Sequence, residues 1–241
     1  MYLRLDKFLS LSGLGSRKTV SYLIRKGKVK VNSQVVKDPG FKINLEKDIV
    51  EVEEQKVLSK AKFYYKMYKP KNYITSTKDP KQVTIMELIP KNLPGYKELF
   101  PVGRLDKDAE GLLLLTNDGI LAHRILHPKW KIPKIYEVEL SKALKEEDKI
   151  RLEEGIELSE GKTSPSKLWY LNSERTKIRI EVYEGRYHLI KRMFGKLSYQ
   201  VLNLKRIAIG NISIGNLKEG ELKALSLEEE KELKKILLRD L

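Results

Sequence analysis

The residues best suited to do chemistry lie in one segment of the chain, residues 103–119. Glycines flank a loop that carries Arg104 and Asp106, and the loop leads into four consecutive leucines. A guanidinium two residues away favours the ionised form of a carboxyl group. An ionised carboxylate among basic groups can act as a nucleophile or as a base on a sugar or a nucleobase. The same spacing also fits a structural ion pair within the loop, so both interpretations stay open on these residues alone.

Motifs for other chemistries are missing from the sequence. It contains no cysteine, no G-x-G-x-x-G or G-x-x-x-x-G-K-[ST] loop for a nucleotide, and no G-x-S-x-G nucleophile turn. His123 and His127 have helical spacing, but Pro128 follows directly and no third ligand is near, so we expect no metal site. The residues therefore predict chemistry without a metal, a nucleotide or any other cofactor.

The composition indicates a polyanionic partner. The chain has 241 residues, with 48 Lys and Arg against 33 Asp and Glu and a net charge of +15. Such an excess favours nucleic acid over an anionic membrane, and a basic surface that serves solubility is the third alternative. The length favours two domains. No apolar run approaches a membrane span and no signal peptide is evident, so we expect a cytoplasmic protein that binds no membrane.

Much of the positive charge lies in the first thirty residues, which contain eight Lys or Arg and one acidic residue. Apolar spacing predicts two short helices here, the second with Ser16 as its N-cap and Gly27 after its end. Alternating valines on both sides of Asn32 and Ser33 predict a β-hairpin, and residues 49–52 predict a further strand. The charged residues 53–62 have no periodicity, and we interpret them as a linker.

Residues 1–58 resemble the S4 domain, a small RNA-binding module. The resemblance rests on residues 4–9 (RLDKFL), 15–17 (GSR), 23–29 (LIRKGKV) and 31–32 (VN). It implies a basic face that binds structured RNA through phosphate contacts and shape. The residues expected to contribute are Arg4, Lys7, Arg17, Lys18, Arg25 and Lys26. Ser33 departs from the pattern, because such modules often have glycine at this position, which makes a better tight turn.

Residues 63–241 predict a second domain with both helices and strands. Strand patterns lie near residues 63–68, 112–115, 136–140, 177–182 and 200–207, and helix patterns near 84–89, 120–126, 145–154, 187–197 and 226–241. The two kinds alternate irregularly, without the regular βαβ order of a doubly wound sheet. We therefore expect an α+β fold in which helices flank a mixed, largely antiparallel sheet.

Four segments of this second domain resemble the RsuA/RluB type of ribosomal RNA pseudouridine synthases. They are residues 68–73, 103–119, 134–138 and 184–194. The resemblance implies that uridine in RNA is isomerised to pseudouridine without a cofactor, and that residues 63–241 form the catalytic domain. The implied catalytic residues are Asp106, its basic partner Lys191, Tyr136 stacked on the base, and Arg104 holding the flipped nucleotide. Further RNA contacts are expected from Arg186, His188 and Arg192.

One residue of these segments departs from the family pattern. Leu189 stands where many relatives have glutamine, and leucine cannot make the hydrogen bonds of a glutamine side chain. That contact is therefore in doubt, whereas the residues implied in the chemistry are present.

Two segments carry the prediction of the substrate. Residues 73–80 and 185–188 resemble the enzymes of small-subunit 16S rRNA more than those of 23S rRNA. We expect one uridine of 16S rRNA as the target, in naked RNA or in a partly assembled ribosomal particle, and a monomeric enzyme. The alternatives are a synthase for 23S rRNA and a non-catalytic RNA-binding assembly factor. An rRNA methyltransferase is disfavoured, because no glycine-rich cofactor loop follows a strand.

Overall fold

The chain divides into two compact units, Met1–Lys62 and Phe63–Leu241, in the computed structural model. The structure describes residues 2–12, 14–44, 47–57 and 62–236. None of the helices in these ranges is both long and apolar enough to cross a membrane.

The first unit contains two helices and several short strands. In chain order they are β1 (Tyr2–Arg4), α1 (Leu5–Leu11), α2 (Arg17–Arg25), β2 (Val29–Val31), β3 (Gln34–Val35), β4 (Lys42–Asn44), β5 (Val50–Val52) and β6 (Gln55–Lys56). Ser16 caps α2 by accepting a hydrogen bond from the amide of Thr19, as the sequence predicts. Strands β3-β2-β5-β6 form one sheet, and β1 pairs with β4. The two predicted helices and the hairpin are confirmed.

The predicted linker over residues 53–62 begins too early. Glu53 and Glu54 form a tight turn with φ values of 50° and 67°, and β6 then returns along β5. Both side chains of this short edge strand are exposed, so it has no apolar alternation by which the sequence could reveal it. Residues 58–61 lie outside the described residues. Ser33 likewise adopts a left-handed conformation, with φ 65°, in the turn where a glycine was expected.

The second unit is built around one large sheet. Its elements are β7 (Tyr64–Lys69), β8 (Phe100–Pro101), β9 (Glu110–Thr116), α3 (Gly119–Leu126), β10 (Lys134–Leu140), α4 (Glu146–Glu154), β11 (Glu157–Leu158), β12 (Gly161–Lys162), β13 (Lys167–Tyr170), β14 (Lys177–Val182), α5 (Leu189–Lys196), β15 (Val201–Ile209), β16 (Ile212–Ser213), β17 (Leu222–Ala224) and α6 (Leu227–Lys235). Short 3-10 helices lie at Ile85–Leu88, Tyr96–Glu98 and Pro128–Trp130.

The strands of this sheet run β13-β14-β10-β15-β9-β7-β17, with β16 added to β15 and β8 to β9. Among the described strands, every pair is antiparallel except β15 with β9. The predicted α+β fold on a mixed, largely antiparallel sheet is therefore confirmed.

One predicted helix differs from the structure in length, and a second is described only in part. The helix expected at residues 84–89 is one 3-10 turn, because Thr84 caps it and Pro90 disfavours helical geometry in the residue before it. The C-terminal helix α6 begins at a capping box formed by Ser226 and Glu229. The remainder of the predicted range, residues 237–241, lies outside the described residues.

Helix α5 packs on the face of β10 that carries Tyr136 and Val138. Ile190, Met193 and Phe194 of the helix join these two residues in one apolar cluster. The loop before β9 contributes further buried residues to the same cluster. The packing therefore brings the loop, β10 and α5 together on one side of the sheet.

Candidate active site

A cavity of about 330 Å³ lies beside the loop that precedes β9. Its walls come from residues 103–109, from β10 and β15, and from the segment that leads into α5. The charged and aromatic side chains that line it are Arg104, Asp106, Lys134, Tyr136, Glu184, Arg186, Tyr187, His188 and Arg206. Residues that the sequence places far apart thus share one concave site.

Asp106 is half-buried in the wall of this cavity, with 23% of its side chain exposed. His188 Nε2 lies 3.4 Å from Oδ1, and Lys191 Nζ lies 3.6 Å from Oδ2. Helix α5 supplies Lys191 from its first turn, and His188 directly precedes the helix. The structure therefore brings Asp106 and Lys191 together, as the resemblance implies.

Lys191 makes its shorter contacts with a second carboxylate. Its Nζ donates to both oxygens of Asp108, at distances of 2.5 and 2.6 Å. This hydrogen bond holds the pKa of Asp108 below its ordinary value. Lys191 thus bridges two aspartates of one loop, a contact that the sequence analysis did not include.

Arg104 does not pair with Asp106, although the two lie close in sequence. Its side chain is exposed in the cavity wall and forms no ion pair or hydrogen bond with the residues that the structure describes. The spacing of two residues therefore produces no ion pair between Arg104 and Asp106. The cationic neighbour of Asp106 is Lys191 instead, which lies much further along the chain and cannot be found from spacing within the loop.

The loop that carries Asp106 is tied to strand β7 by a buried lysine. Lys69 has no exposed surface, and its Nζ donates to the main-chain oxygens of Pro70, Asp106 and Ala109 at 2.9, 3.1 and 2.7 Å. Burial lowers the pKa of Lys69 to about 8. Thr75 holds the residue before Asp106, because its hydroxyl donates to the Leu105 carbonyl at 2.7 Å. These contacts fix the backbone on both sides of Asp106.

Tyr136 lies on β10 with 9% of its surface exposed and lines the cavity. In the sheet register it faces Arg206 of the neighbouring strand β15. The guanidinium carbon of Arg206 lies 6.0 Å from the centre of the tyrosine ring, at the outer limit of a cation–π contact. Tyr136 therefore belongs to the apolar core and also lines the cavity.

Arg186 and Arg192, two of the residues expected to contact RNA, are engaged within the protein. Arg186 pairs with Glu184 at 2.5 Å and donates to the carbonyls of Gly161 and Lys162. Arg192 binds the carboxylate of Glu160 through both terminal nitrogens. Both arginines thus hold the β11–β12 hairpin next to α5.

His188, the third residue of this set, lies at the cavity, and its ring stacks on exposed Tyr187 at 3.8 Å.

The basic residues of the first unit fall into two groups. Arg4 and Arg17 pair with Asp6 at 3.0 and 2.8 Å. Although burial opposes it, the hydrogen bonds from these two arginines lower the pKa of Asp6. The remaining residues of the expected RNA-binding set have no such partner among the described residues: Lys18, Arg25 and Lys26 are exposed, and Lys7 is half-buried.

Leu189, which replaces a glutamine of the family pattern, is the first residue of α5. It is buried at 6% exposure and packs in the cluster that contains Tyr136. The substitution therefore exchanges a polar contact for an apolar contact in the core.

Two further cations of the cavity, Lys134 and Arg206, were missed in the sequence analysis. Both are buried, Arg206 at 3% and Lys134 at 5% exposure. Burial lowers the pKa of Lys134 to about 8. The strand patterns could have drawn attention to them, since each occupies a position that faces the protein interior, where a charge is rare. Gly111 belongs to the same arrangement, because a Cβ at this residue would overlap the backbone of Arg206.

Comparison with known proteins identifies the family of this chain. The model for RNA pseudouridylate synthases matches residues 64–196, and the model for the S4 domain matches residues 3–50. A solved structure described as a pseudouridylate synthase superposes with a TM-score of 0.70 and 34% identity, and covers 96% of this chain and 99% of its own.

Relatives of similar length agree. An uncharacterized RNA pseudouridine synthase of Aquifex aeolicus is 44% identical over 87% of this chain and 85% of its own. The ribosomal large subunit pseudouridine synthase B of Bacillus subtilis is 39% identical over 84% of each chain. The chain therefore belongs to the RNA pseudouridylate synthase family, as an S4-containing isomerase of the RsuA/RluB type that acts on RNA.

Proposed function

We propose that the chain converts one specific uridine of ribosomal RNA, in the small subunit, to pseudouridine. The observation that carries this proposal is the placement of Asp106 in a cavity with Tyr136, next to Lys191 and His188. A carboxylate that lies beside basic side chains and a flat aromatic ring suits attack on a flipped nucleotide.

The reaction requires no redox step and no energy source. The C1′–N1 bond of uridine breaks, the uracil turns, and C5 bonds to C1′ while the C5 proton leaves and N1 gains a proton. In the proposed complex the base stacks on Tyr136, and the Asp106 carboxylate meets the ribose or the base. Lys191 positions that carboxylate, and the exposed guanidinium of Arg104 holds the displaced nucleotide.

The two units divide the work in this proposal. Residues 1–58 bind RNA through the exposed cations of α2, and residues 63–241 perform the isomerisation. Since Arg186 and Arg192 are engaged within the protein, we assign them to support of the β11–β12 hairpin rather than to direct contact with RNA. We propose that the enzyme acts as a monomer, and a chain without cysteine suits the reducing cytoplasm.

The small-subunit assignment gains support from the position of two segments. Residues 73–80 and 185–188 resemble the 16S rRNA enzymes, and Thr75, Ser76, Asp79 and His188 from these segments line one groove together with Asp106. Side chains in that groove would contact the nucleotides next to the target uridine. Such contacts would distinguish 16S from 23S rRNA where the neighbouring nucleotides differ. The second candidate is 23S rRNA, because the Bacillus subtilis relative is named a large-subunit enzyme.

Release of tritium from uridine C5 tests this proposal directly, because pseudouridine formation replaces that hydrogen. Transcripts of 16S and 23S rRNA labelled at C5 are incubated with the wild-type protein, and the same RNAs are tested as partly assembled subunits. We expect release from 16S rRNA or its particle and none from 23S rRNA. Release from 23S rRNA alone would overturn the small-subunit assignment, and no release from any of the four would overturn ribosomal RNA as the substrate.

A further inference from the structure

Two buried cations lie in the cavity wall beside Tyr136. Arg206 faces Tyr136 across neighbouring strands. Lys134 lies two positions before Tyr136 on β10, and therefore on the same face of that strand. Both residues line the cavity. A base stacked on Tyr136 would thus have one edge next to these charges.

Within the part of the chain that the structure describes, no carboxylate pairs with the positive charge of Lys134. Its Nζ donates to the main-chain oxygens of Ile125 and Ile132, at 3.2 and 3.1 Å. The charged group with the largest effect on it is Arg206, a second cation, which adds to burial in lowering the pKa of Lys134.

The hydrogen-bond donors of Arg206 are also only partly satisfied. Its Nε donates to the main-chain oxygen of Leu112 at 2.8 Å, whereas Nη2 is buried without an acceptor among the described residues. Glu184, a carboxylate of the same cavity, accepts from the Ser164 amide and pairs with Arg186. It is therefore already engaged away from Arg206.

Two like charges buried side by side are unfavourable in the free protein, because each has lost water without gaining an opposite charge. The arrangement becomes favourable when negative charge enters the cavity. A cation fixed in a low-dielectric site before the reaction needs no reorganisation as such charge develops.

We infer that Arg206 and Lys134 stabilise the negative charge that develops on the uracil ring during isomerisation. This inference rests on the proposed function. When the C1′–N1 bond breaks, its electron pair stays with the uracil and spreads over N1 and the carbonyl oxygens, while C1′ becomes electron-deficient beside Asp106. The pair returns to C1′ through C5, the C5 proton leaves, and N1 takes up a proton, so atoms and charge balance.

The same cations could bind a backbone phosphate of the RNA, but their burial favours the base. A phosphate next to a flipped nucleotide stays near the mouth of the site, where Arg104 is exposed. Arg206 and Lys134 lie instead beside Tyr136 with at most 5% of their surface accessible.

The test compares uridine with 5-fluorouridine at the target position of the substrate RNA. Fluorine withdraws electrons and stabilises the uracil anion, so cleavage of the C1′–N1 bond depends less on the two cations. After C5 bonds to C1′, C5 carries fluorine and has no proton to lose, and the remaining N1=C6 bond adds water. Loss of the starting nucleotide is therefore the quantity measured. Single-turnover consumption of the target nucleotide at saturating RNA is measured after nuclease digestion for the wild type, Arg206→Met, Arg206→Lys and Lys134→Met. Lys205→Gln is the matched control, since Lys205 directly precedes Arg206 on β15 and therefore lies on the opposite face of that strand.

We expect Arg206→Met to slow the uridine reaction about 100-fold and Lys134→Met about 10-fold, with RNA affinity unchanged. With 5-fluorouridine each deficit should shrink severalfold. Arg206→Lys keeps the charge and should show an intermediate deficit with the same shrinkage, which preserves the test if the methionine variant does not fold.

Equal deficits on the two substrates would overturn the inference and leave Arg206 a structural role. A deficit confined to RNA affinity would overturn it in favour of phosphate binding. If the wild-type protein consumes uridine and the variants give either of these two results, the inference is wrong and the proposed function remains intact. A wild-type protein that consumes no uridine contradicts the proposed function itself.

Discussion

The two units use the same residue types in opposite ways. In the first unit Lys18, Arg25 and Lys26 are exposed on or directly after α2. In the second unit Lys69 and Arg206 are buried in the sheet, with main-chain carbonyls as acceptors. Exposed cations attract phosphates through a charge that salt screens. Buried cations are held in a fixed position and stabilise charge at one particular atom.

This difference shows how one chain can use separate residues for RNA affinity and for the rate of the reaction. Phosphate contacts give strong but salt-dependent binding without selecting an atom. A cavity lined by fixed charges selects an atom but offers little area for binding a large RNA. Changes in the first unit should therefore alter the dissociation constant, and changes in the cavity should alter the rate.

Apart from substitution of Asp106 itself, the largest effect among the tests of this comparison is expected for Lys69→Met. The substitution removes three hydrogen bonds that hold the loop of Asp106, so kcat should fall about 10- to 100-fold while the dissociation constant for RNA stays the same. Single-turnover rates and filter binding measure the two quantities. Lys66→Met, on the same strand but paired with Glu229, is the control and should retain the wild-type rate.

Replacement of Lys18, Arg25 and Lys26 by Gln should have the complementary effect. The dissociation constant should rise about 10-fold or more at low salt, and the slope of log affinity against log salt should decrease by about 2, at roughly 0.7 per lost phosphate contact. The rate at saturating RNA should not change. A salt slope equal to that of the wild type would mean that this face only contacts solvent.

The buried lysines should also make stability depend on pH. Burial lowers the pKa of Lys134 from 10.5 to about 8, so between these values the unfolded chain binds more protons than the folded one. The free energy of unfolding contributed by this group therefore rises with pH over that interval, by about 2 kcal/mol between about pH 7.5 and pH 10. Urea unfolding at both pH values should show a larger gain for the wild type than for Lys134→Met, and equal gains would contradict the burial of this charge.

The smallest effect is expected in the first unit, for Ser33→Gly. Ser33 has φ 65°, a conformation that glycine adopts without strain, so the substitution should raise the free energy of unfolding by about 0.5–1 kcal/mol. RNA affinity should be unchanged, because the turn lies outside the basic face. A lower unfolding midpoint in urea would show that the turn is not strained.

The sequence predicts the fold well where periodicity is strong. The alternation in β10 and the apolar stripe of α5 lead to the correct elements, and the motif around Asp106 leads to the correct family. Strand β6 was missed, since two exposed polar residues carry no periodic signal.

The contacts within the site were less accessible from the sequence. Lys69, Lys134 and Arg206 act from positions where strand alternation predicts apolar residues, and their partners are main-chain carbonyls that no sequence motif records. Lys191 contacts both Asp106 and Asp108 because of the way in which α5 packs beside the loop. Such contacts depend on tertiary packing rather than on local spacing.

The most direct test of the division between affinity and chemistry is a comparison of Asp106→Asn with Asp108→Asn on the same C5-labelled RNA, with the tritium release rate and the dissociation constant measured for each. Asp108 is the matched control, because it also contacts Lys191 but is 71% exposed. We expect Asp106→Asn to lose at least about 1,000-fold in rate with wild-type affinity, and Asp108→Asn to lose less than about 10-fold. An Asp106→Asn protein that keeps more than about a tenth of the wild-type rate, or one that loses RNA affinity in proportion to its rate, would contradict the account.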